Sequence, residues 1–405
     1  MPHLAARRST AKPARQEAPV AFARPSLGTD EIDEVVATLQ SGWLTTGPRV
    51  ARFEERFRSL VGARHAVAVS SCSAALHLSL LAAGIGPGDE VITTPLTFCA
   101  TANAIIHAGA TPVFADVDRV TMNLDPSAAA AAVSPRTRAV LPVHFGGRPV
   151  DVRAFRRLSQ RHGLALIEDA AHAVEAVAGG QRIGTTADFT CFSFYATKNL
   201  TTGEGGMVTT DSGEAAARIR TAALHGLSRD AWRRYEIGGA AHYDVVMAGF
   251  KYNMMDLQAA IGLRQLDRLD EMHDRREAIG RRYDEGLADL PLTLPSLPDL
   301  GMVHGRHLYT VLVDEASCGW SRDGLQAALA TEGIGTAIHF TALHLHSYYQ
   351  ERFALARGRF PHAEFISDRT LSLPLSASLS DEEVDRVIDT VRRLVRTTRM
   401  LKRAG

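Results

Sequence analysis

The chain has 405 residues, with 45 basic and 45 acidic side chains and therefore no formal net charge. At about 100–200 residues per domain, this length predicts two domains. A hydrophobic fraction of 45% is ordinary for a folded globular protein and excludes a disordered chain. The balanced charge argues against a general nucleic-acid-binding protein, and no apolar run approaches the roughly 20 residues that span a bilayer. We therefore expect neither nucleic acid nor a membrane among the partners.

Cysteine usage and the N-terminus indicate the compartment. The four cysteines are widely scattered, form no CxxC pair and are compatible with a reducing cytosol. The first residues are basic and lack the apolar core of a secretory signal. We expect a cytoplasmic protein in which residues 1–20 form a mobile basic tail.

Short β-branched runs alternate with Ala- and Leu-rich stretches from His65 onward. In chain order the pattern predicts a strand over 65–70, a helix over 73–83, a strand over 90–94, a helix over 97–108, strands over 112–116 and 139–144, a helix over 152–162 and a strand over 164–168. The strands are apolar throughout, which is typical of strands covered on both faces. We expect an α/β domain with a mostly parallel sheet flanked by helices.

The pattern changes near residue 187. In chain order it predicts strands over 187–195 and 206–210, a long helical region over 256–287, a proline-rich linker near 291–298, a strand over 308–313, a helix over 322–332 and a closing helix over 381–402. Ser380 is the expected N-cap of that closing helix. We expect a large domain over residues 21–265 and a smaller C-terminal α/β domain over residues 266–405.

Two segments carry polar groups where strands end. Ser70–Ala74 follows a strand and begins a helix, where free backbone N–H groups bind phosphate. An ordinary helix cap is the alternative. Asp169 and His172 follow another strand, at the sheet edge where α/β proteins bind ligands. A buried carboxylate there needs a cationic partner, such as a protonated pyridine nitrogen, although Asp169 could instead cap a helix.

Lys198 lies on a turn between two apolar strands, and small residues follow it. Most lysines are solvated surface charges, but these flanking strands indicate an amine at the edge of a buried site. A desolvated lysine loses its proton more readily and can form a Schiff base.

Taken together, these three segments resemble the pyridoxal-phosphate (PLP) enzymes of the aspartate-aminotransferase-like fold, also called PLP fold type I. More narrowly, the chain resembles the DegT/DnrJ/EryC1/StrS family of sugar aminotransferases from about residue 22 to residue 394. The motifs that carry the resemblance are SGWLTTGP at 41–48, EDAAH at 168–172, TKNLTTGEGG at 197–206 and DLQAAIG at 256–262.

The resemblance implies roles for four residues around the cofactor ring. Lys198 would be the catalytic residue, holding PLP as an internal aldimine and later shuttling a proton between the substrate carbon and the cofactor. Asp169 would pair with the pyridinium nitrogen, and His172 would contact the phenolic oxygen. Phe98 matches the aromatic residue that stacks on the ring face.

The resemblance also implies a phosphate site and a homodimer. Ser73, the backbone N–H of Cys72 and Ser193 match the phosphate-binding positions. Lys251 and Asn253 lie in the segment Gly-Phe-Lys-Tyr-Asn-Met, at the positions where relatives carry Asn and Arg. In the family, a side chain from this segment contacts the cofactor phosphate bound in the neighbouring subunit. Sites made from both chains imply a homodimer.

The resemblance places Thr45, Arg229 and His339 near the substrate. His339, His344 and His346 superficially resemble a set of metal ligands, but no carboxylate or cysteine completes the set. We therefore expect no metal.

The function implied by the resemblance is transfer of an amino group, usually from glutamate, to a keto sugar in a ping-pong reaction. We expect a nucleotide-linked keto-deoxyhexose as the acceptor, and a cyclitol (keto-inositol) aminotransferase is the alternative. A sugar dehydratase of the same family would carry histidine in place of Lys198. A non-catalytic regulator would lack the lysine or carry an added DNA-binding domain, so the sequence disfavours both.

Overall fold

The computed structural model describes residues 18–227 and 244–404, with side chains described as far as residue 397. Nine strands precede residue 211: β1 (His65–Val69), β2 (Glu90–Thr93), β3 (Thr111–Phe114), β4 (Thr137–Leu141), β5 (Ala165–Asp169), β6 (Val177–Ala178), β7 (Gln181–Arg182), β8 (Phe189–Ser193) and β9 (Gly206–Thr210). Strands β6 and β7 form a small hairpin, and the others form a seven-stranded sheet in the order β1-β9-β8-β5-β4-β2-β3. Only β9 runs antiparallel to its neighbours. The expected mostly parallel sheet is confirmed.

The sheet is covered on both faces by helices. In chain order the helices of this domain are α1 (Thr29–Ser41), α2 (Pro48–Val61), α3 (Cys72–Ala82), α4 (Ala100–His107), α5 (Pro126–Ala131), α6 (Val152–His162), α7 (Gly213–Ala223) and α8 (Asp256–Asp267). Neighbouring residues of one strand pack in different clusters: Val67 lies with α3 and α7, whereas Ala68 lies with α2 and α8. Two buried faces explain why the strands read as continuous apolar runs.

The smaller domain packs helices around a three-stranded antiparallel sheet. Its elements are α9 (Leu269–Leu287), β10 (Leu292–Thr293), β11 (Tyr309–Val313), α10 (Glu315–Cys318), α11 (Arg322–Thr331), α12 (Ser347–Phe353), α13 (Pro361–Arg369), β12 (Thr370–Leu373) and α14 (Asp381–Ala404). Ser380 caps α14 as predicted, since its hydroxyl accepts from the Glu383 N–H at 3.2 Å and the Glu383 carboxylate accepts from the Ser380 N–H at 2.8 Å.

The predicted helical region over 256–287 is confirmed, but it consists of two helices that meet at Arg268, whose ψ of 7° leaves the helical range. The break follows from packing, because Leu269 still lies in the large-domain core whereas Tyr283 lies in the small-domain core. We therefore propose that the domain boundary lies within α9.

The basic tail does not extend to residue 20. Residues 1–17 lie outside the described residues, but Val20 is only 1% exposed. Its N–H donates to the Gly333 carbonyl and its carbonyl accepts from the Gly335 N–H, both at 2.8 Å. Among the described residues no helix is both long and apolar enough to cross a bilayer.

Candidate active site

The three predicted segments meet at the carboxyl ends of three strands of the large sheet that run in the same direction. Cys72 begins α3 after β1, Asp169 ends β5, and Lys198 follows β8. The Cys72 thiol lies 3.9 Å from an Asp169 oxygen. This is the edge at which open α/β sheets bind ligands, so the structure brings together what the sequence separates by more than 100 residues.

Asp169 is a buried carboxylate held by two donors. Its Oδ2 accepts from the Thr101 hydroxyl at 2.8 Å, and its Oδ1 accepts from the Ala171 N–H at 3.1 Å. Burial raises the pKa of Asp169, while the hydrogen bonds from Thr101 and Ala171 oppose that rise. A cation placed against this carboxylate would stabilise its negative charge, which burial has deprived of contact with water.

His172 has a defined tautomer. Its Nδ1 accepts a hydrogen bond from the Gly146 N–H at 3.3 Å, so Nε2 carries the proton of the neutral ring. Burial holds the pKa of His172 well below its usual range. The ring therefore presents an N–H donor, which is what a phenolate oxygen requires.

Lys198 is one of only four lysines in the sequence, with Lys12, Lys251 and Lys402. Burial lowers the pKa of its amine to about 8, although nearby Cys72 and Asp169 act in the opposite direction. At pH 7 about a tenth of the amine is therefore unprotonated and nucleophilic, far more than for an ordinary lysine, as covalent catalysis by lysine requires.

The start of α3, where the sequence predicts a phosphate site, leaves backbone N–H groups free. Ser71 caps the helix by accepting from the Ala74 N–H at 3.1 Å. Among the described residues, the N–H groups of Cys72 and Ser73 have no partner, and Ser73 is exposed. Such free N–H groups bind anions.

Gly206 permits the close approach of β9 to the start of α3. A Cβ at Gly206 would lie 2.5 Å from the Ser71 carbonyl carbon and 2.7 Å from the Cys72 nitrogen. Ser193 pairs in register with Gly206 and so lies beside the same helix start. The glycine of the TTGEGG motif is thus required by packing.

Phe98 precedes α4 and is 61% exposed, which is unusual for a phenylalanine. Its ring centroid lies 6.4 Å from that of Phe340, which in turn stacks on His172 at 6.2 Å. Phe98 is therefore available to cover a planar ligand beside His172.

Lys251 and Asn253 lie together on the surface. Lys251 Nζ donates to Asn253 Oδ1 at 2.6 Å, and Asn253 Nδ2 donates to Thr46 Oγ1 at 2.7 Å. The Tyr252 carbonyl accepts from the Ser70 N–H at 2.7 Å, which anchors this segment beside the end of β1. That Lys251 and Asn253 act on the neighbouring subunit remains a prediction.

The expected substrate residues are only partly gathered. Thr45 is exposed, and its carbonyl accepts from the Asp256 N–H at 3.1 Å. His339 bonds Ser372 at 2.9 Å, and burial together with the Lys198 charge lowers the pKa of His339 to about 4. Arg229 lies outside the described residues.

The histidine-rich stretch has other partners. His344 Nε2 lies 2.9 Å from Glu364 Oε1, and both residues are buried. In the part of the chain that the structure describes, no group of three His, Cys, Asp or Glu side chains is arranged to hold a metal ion.

Sequence reasoning missed several side chains of this region. Thr101 holds Asp169, and the His307 ring lies 4.3 Å from that of His172. Asn199 bonds His307 at 3.0 Å across 108 residues of sequence. The only local signal was that Asn199 directly follows Lys198.

These residues fit PLP on their own chemistry. Asp169 could pair with a pyridinium nitrogen, and the His172 N–H could donate to a phenolic oxygen. The Lys198 amine could react with an aldehyde, and the N–H groups at the start of α3 could bind a phosphate. When bound, PLP supplies an electron-accepting ring that stabilises negative charge on the substrate carbon.

Comparison with known proteins gives the same result. The family model for the DegT/DnrJ/EryC1/StrS aminotransferase family matches residues 25–392. The spore coat polysaccharide biosynthesis protein SpsC of Bacillus subtilis is 54% identical over 377 residues, covering 93% of this chain and 97% of SpsC.

Solved structures agree closely. A putative sugar aminotransferase from Streptococcus pneumoniae in its PMP form matches with a TM-score of 0.88 at 32% identity, over 95% of this chain and 100% of that one. DesI in the presence of its TDP-sugar product matches with a TM-score of 0.85 at 36% identity, over 97% of each chain. The chain therefore belongs to the DegT/DnrJ/EryC1/StrS aminotransferase family and is a PLP-dependent sugar aminotransferase.

Proposed function

We propose that this enzyme transfers an amino group from glutamate to a nucleotide-linked keto-deoxyhexose. The amino-transfer step rests on the buried Lys198 amine, which lies close to Asp169 and His172 and whose pKa is lowered by burial to about 8. An amine that exchanges its proton near neutral pH suits a reaction in which a proton moves between two carbons.

Each side chain has a distinct task in this proposal. Asp169 keeps a positive charge on the ring nitrogen, because a buried carboxylate is stabilised by a cation. His172 donates its Nε2–H to the phenolic oxygen. Lys198 takes the proton from the donor's Cα and later returns one to the carbon of the acceptor.

The relatives support a sugar acceptor carried by a nucleotide. DesI, 36% identical, was solved with its TDP-sugar product. SpsC, 54% identical, is described as a polysaccharide biosynthesis protein. Four cysteines that are all free thiols support a reducing, cytoplasmic setting.

The test is a single-turnover panel. Protein converted to its pyridoxamine form is mixed with TDP-linked and UDP-linked keto-deoxyhexoses, a free keto sugar and a keto-inositol. We expect the visible absorbance of bound PLP to return with a nucleotide-linked sugar, and mass spectrometry to find the amino sugar. Return of absorbance only with keto-inositol would favour the cyclitol alternative, and no return with any sugar would refute the proposal.

The donor half is tested separately. PLP-loaded protein mixed with glutamate should lose its visible absorbance and release one 2-oxoglutarate per site. Aspartate and glutamine serve as comparison donors, and Lys198→Ala is the control for the residue that moves the proton. Release of 2-oxoglutarate by the Lys198→Ala variant at the wild-type rate would remove Lys198 from its role.

We further propose that two copies share their active sites, with Lys251 of the partner subunit reaching the cofactor phosphate. An outward apolar stripe on α1 supports an interface, because Ile32, Val36 and Leu39 are 44–61% exposed, which isolated monomers rarely tolerate. The positions of Lys251 and Asn253, anchored beside the end of β1, suit such a contact.

Subunit hybrids test this arrangement. A Lys198→Ala variant is mixed with a variant that carries both Lys251→Ala and Asn253→Ala, and the subunits are exchanged. If the sites are shared, each hybrid dimer has one site with no substitution and activity returns. If each site is built from one chain, both hybrid sites are defective and no activity returns.

A further inference from the structure

The side-chain amide of Asn199, the residue that follows Lys198, is the centre of a buried hydrogen-bond cluster. Its Nδ2 donates to Glu175 Oε2 at 2.8 Å and to the Gly305 carbonyl, and its Oδ1 lies 3.0 Å from His307 Nδ1. One orientation of the amide therefore satisfies both of its N–H bonds and its oxygen. None of the cofactor roles described above uses this cluster.

Glu175 connects the amide to the segment that follows β5. His172 lies on this segment, three residues before Glu175. The other oxygen of Glu175 forms an ion pair with Arg276 of α9, and both residues are buried. A buried carboxylate that pairs with a buried guanidinium is held in one geometry. The bond from Asn199 to Glu175 therefore ties the turn that carries Lys198 to the segment that carries His172.

The other two contacts of the amide lie on the segment before β11. The Gly305 N–H donates to the Gly147 carbonyl at 2.7 Å, and a Cβ on Gly305 would lie 2.9 Å from the His172 carbonyl oxygen. The ring centroid of His307 lies 4.3 Å from that of His172. The amide of Asn199 thus fixes its own turn against two segments that pack around His172.

The backbone of the turn leaves Asn199 dependent on its side chain. The Lys198 N–H donates to the Tyr195 carbonyl at 2.9 Å. The Thr202 N–H donates to the Phe194 carbonyl, also at 2.9 Å. Among the described residues, neither the N–H nor the carbonyl of Asn199 has a backbone partner. Between the two backbone bonds, the Asn199 side chain is therefore what anchors the turn at the lysine.

We propose that Asn199 is a positioning residue for Lys198, and that Glu175 acts through Asn199 in the same role. An anchor at residue 199 fixes the backbone of the neighbouring residue, from which the lysine side chain extends. Neither Asn199 nor Glu175 makes or breaks a bond of the substrate. An amine that moves a proton between two carbons is sensitive to its position, because a displacement of about 1 Å can cost roughly a hundredfold in rate. The inference rests on the proposed role of Lys198.

Asn199→Asp tests the anchor with little change of shape. Its carboxylate can still accept from His307 Nδ1, but it has no donor for Glu175 or for the Gly305 carbonyl. Adding Glu175→Gln restores one bond, because the glutamine NH₂ can donate to that carboxylate while the glutamine oxygen accepts from Arg276. This double variant also has the net charge of the wild type.

Asn123→Asp is the matched control. Asn123 is buried, and its Nδ2 donates to the carbonyls of Arg148 and Pro149, both at 3.1 Å. Its Oδ1 accepts from the Phe145 N–H at 2.9 Å. The same substitution therefore removes two donated bonds from a buried asparagine whose three partners lie outside the turn. Asn199→Ala, which removes the anchor without adding a charge, takes the place of Asn199→Asp if that variant does not fold.

Hydrogen–deuterium exchange of the cofactor-free protein measures the anchor without any dependence on activity. The N–H groups of Lys198 and Thr202 are both hydrogen bonded, so their exchange rates report how often the turn opens. We expect the peptide that contains both to exchange about tenfold faster in Asn199→Asp, as the loss of a buried hydrogen bond predicts. The rate should be intermediate in the double variant and unchanged in Asn123→Asp. An equal increase in Asn123→Asp would reflect a general loss of stability and would overturn the inference.

Kinetics of the PLP-loaded enzyme complete the test. Asn199→Asp should lower kcat about 10- to 100-fold with the KM for glutamate little changed, and the double variant should recover part of that loss. A wild-type kcat in Asn199→Asp would make the cluster merely structural, and a lower kcat with wild-type exchange would assign the effect to the added charge. Either result would show the inference to be wrong. Failure of borohydride to fix PLP on Lys198 of the wild-type protein would instead refute the role of Lys198 itself.

Discussion

The hydrogen bond between Thr101 and Asp169 gives a sharp prediction about cofactor affinity. In Thr101→Val the side chain keeps its shape but no longer donates to Asp169 Oδ2, a bond of 2.8 Å in the wild type. Burial already raises the pKa of Asp169, and losing this donor raises it further. In the cofactor-free protein Asp169 can respond by taking a proton, whereas against a pyridinium it must stay ionised.

The expected loss of PLP affinity follows from this difference in the charge of Asp169 between the cofactor-free and the PLP-bound protein. A hydrogen bond to a charged group contributes about 1.5–3 kcal/mol and one to a neutral group about 0.5–1.5 kcal/mol. PLP binding should therefore weaken by about 1–1.5 kcal/mol, or roughly 5- to 15-fold. The loss should grow as the pH falls, because burial raises the pKa of Asp169 and its protonation in the cofactor-free protein competes with the ion pair.

A titration of cofactor-free protein with PLP, followed by the visible absorbance, measures this change. Thr186→Val is the matched control, because Thr186 donates a comparable bond of 2.6 Å to the neighbouring buried carboxylate of Glu168. It should lower stability but not PLP affinity. Unchanged affinity in Thr101→Val, or an equal loss in both variants, would refute the reasoning.

Three further changes test other parts of the account. Lys198→Met should raise the Tm of the cofactor-free protein at pH 7, and raise it less at pH 10. Burial lowers the pKa of Lys198 from 10.5 to about 8, so the free-energy cost of burying the charged amine is full below pH 8 and disappears as the pH approaches 10.5. A gain in Tm that does not depend on pH would contradict this reasoning. Gly206→Ala should displace the start of α3 and weaken PLP binding, and an unchanged Kd would contradict the packing argument. Asp256→Ala removes the carboxylate that accepts from the first N–H groups of α2, and urea unfolding should show a loss of roughly 1–3 kcal/mol; an unchanged midpoint would contradict the capping role.

The sheet could be predicted because its strands are buried on both faces, so their apolar runs are local in sequence. Helix α1 could not be predicted from the sequence, because Ile32, Val36 and Leu39 face outward in the single chain while Glu31 is buried against α8. This inverted pattern differs from that of an ordinary surface helix. The break at Arg268 was also missed, since both helices around it are amphipathic and only their different partners separate them.

Within the site, the residues carried by contiguous motifs could be predicted, and the structure gathers Asp169 and Lys198 as expected. The side chains that contact those residues could not be predicted from the sequence. Asn199 and His307 are 108 residues apart, and their contact depends on where the segment before β11 packs in the folded chain. No periodicity or spacing in the sequence couples two such positions, so only the folded chain identifies them.

The central claim is that Lys198 is the residue that carries the cofactor. Sodium borohydride reduction of the PLP-loaded protein, followed by proteolysis and mass spectrometry, tests it among only four lysines. We predict a single phosphopyridoxyl adduct on the peptide containing Lys198, and its absence in Lys198→Ala. An adduct on Lys12, Lys251 or Lys402 of the wild-type protein, or one that persists at the same peptide in Lys198→Ala, would contradict the account.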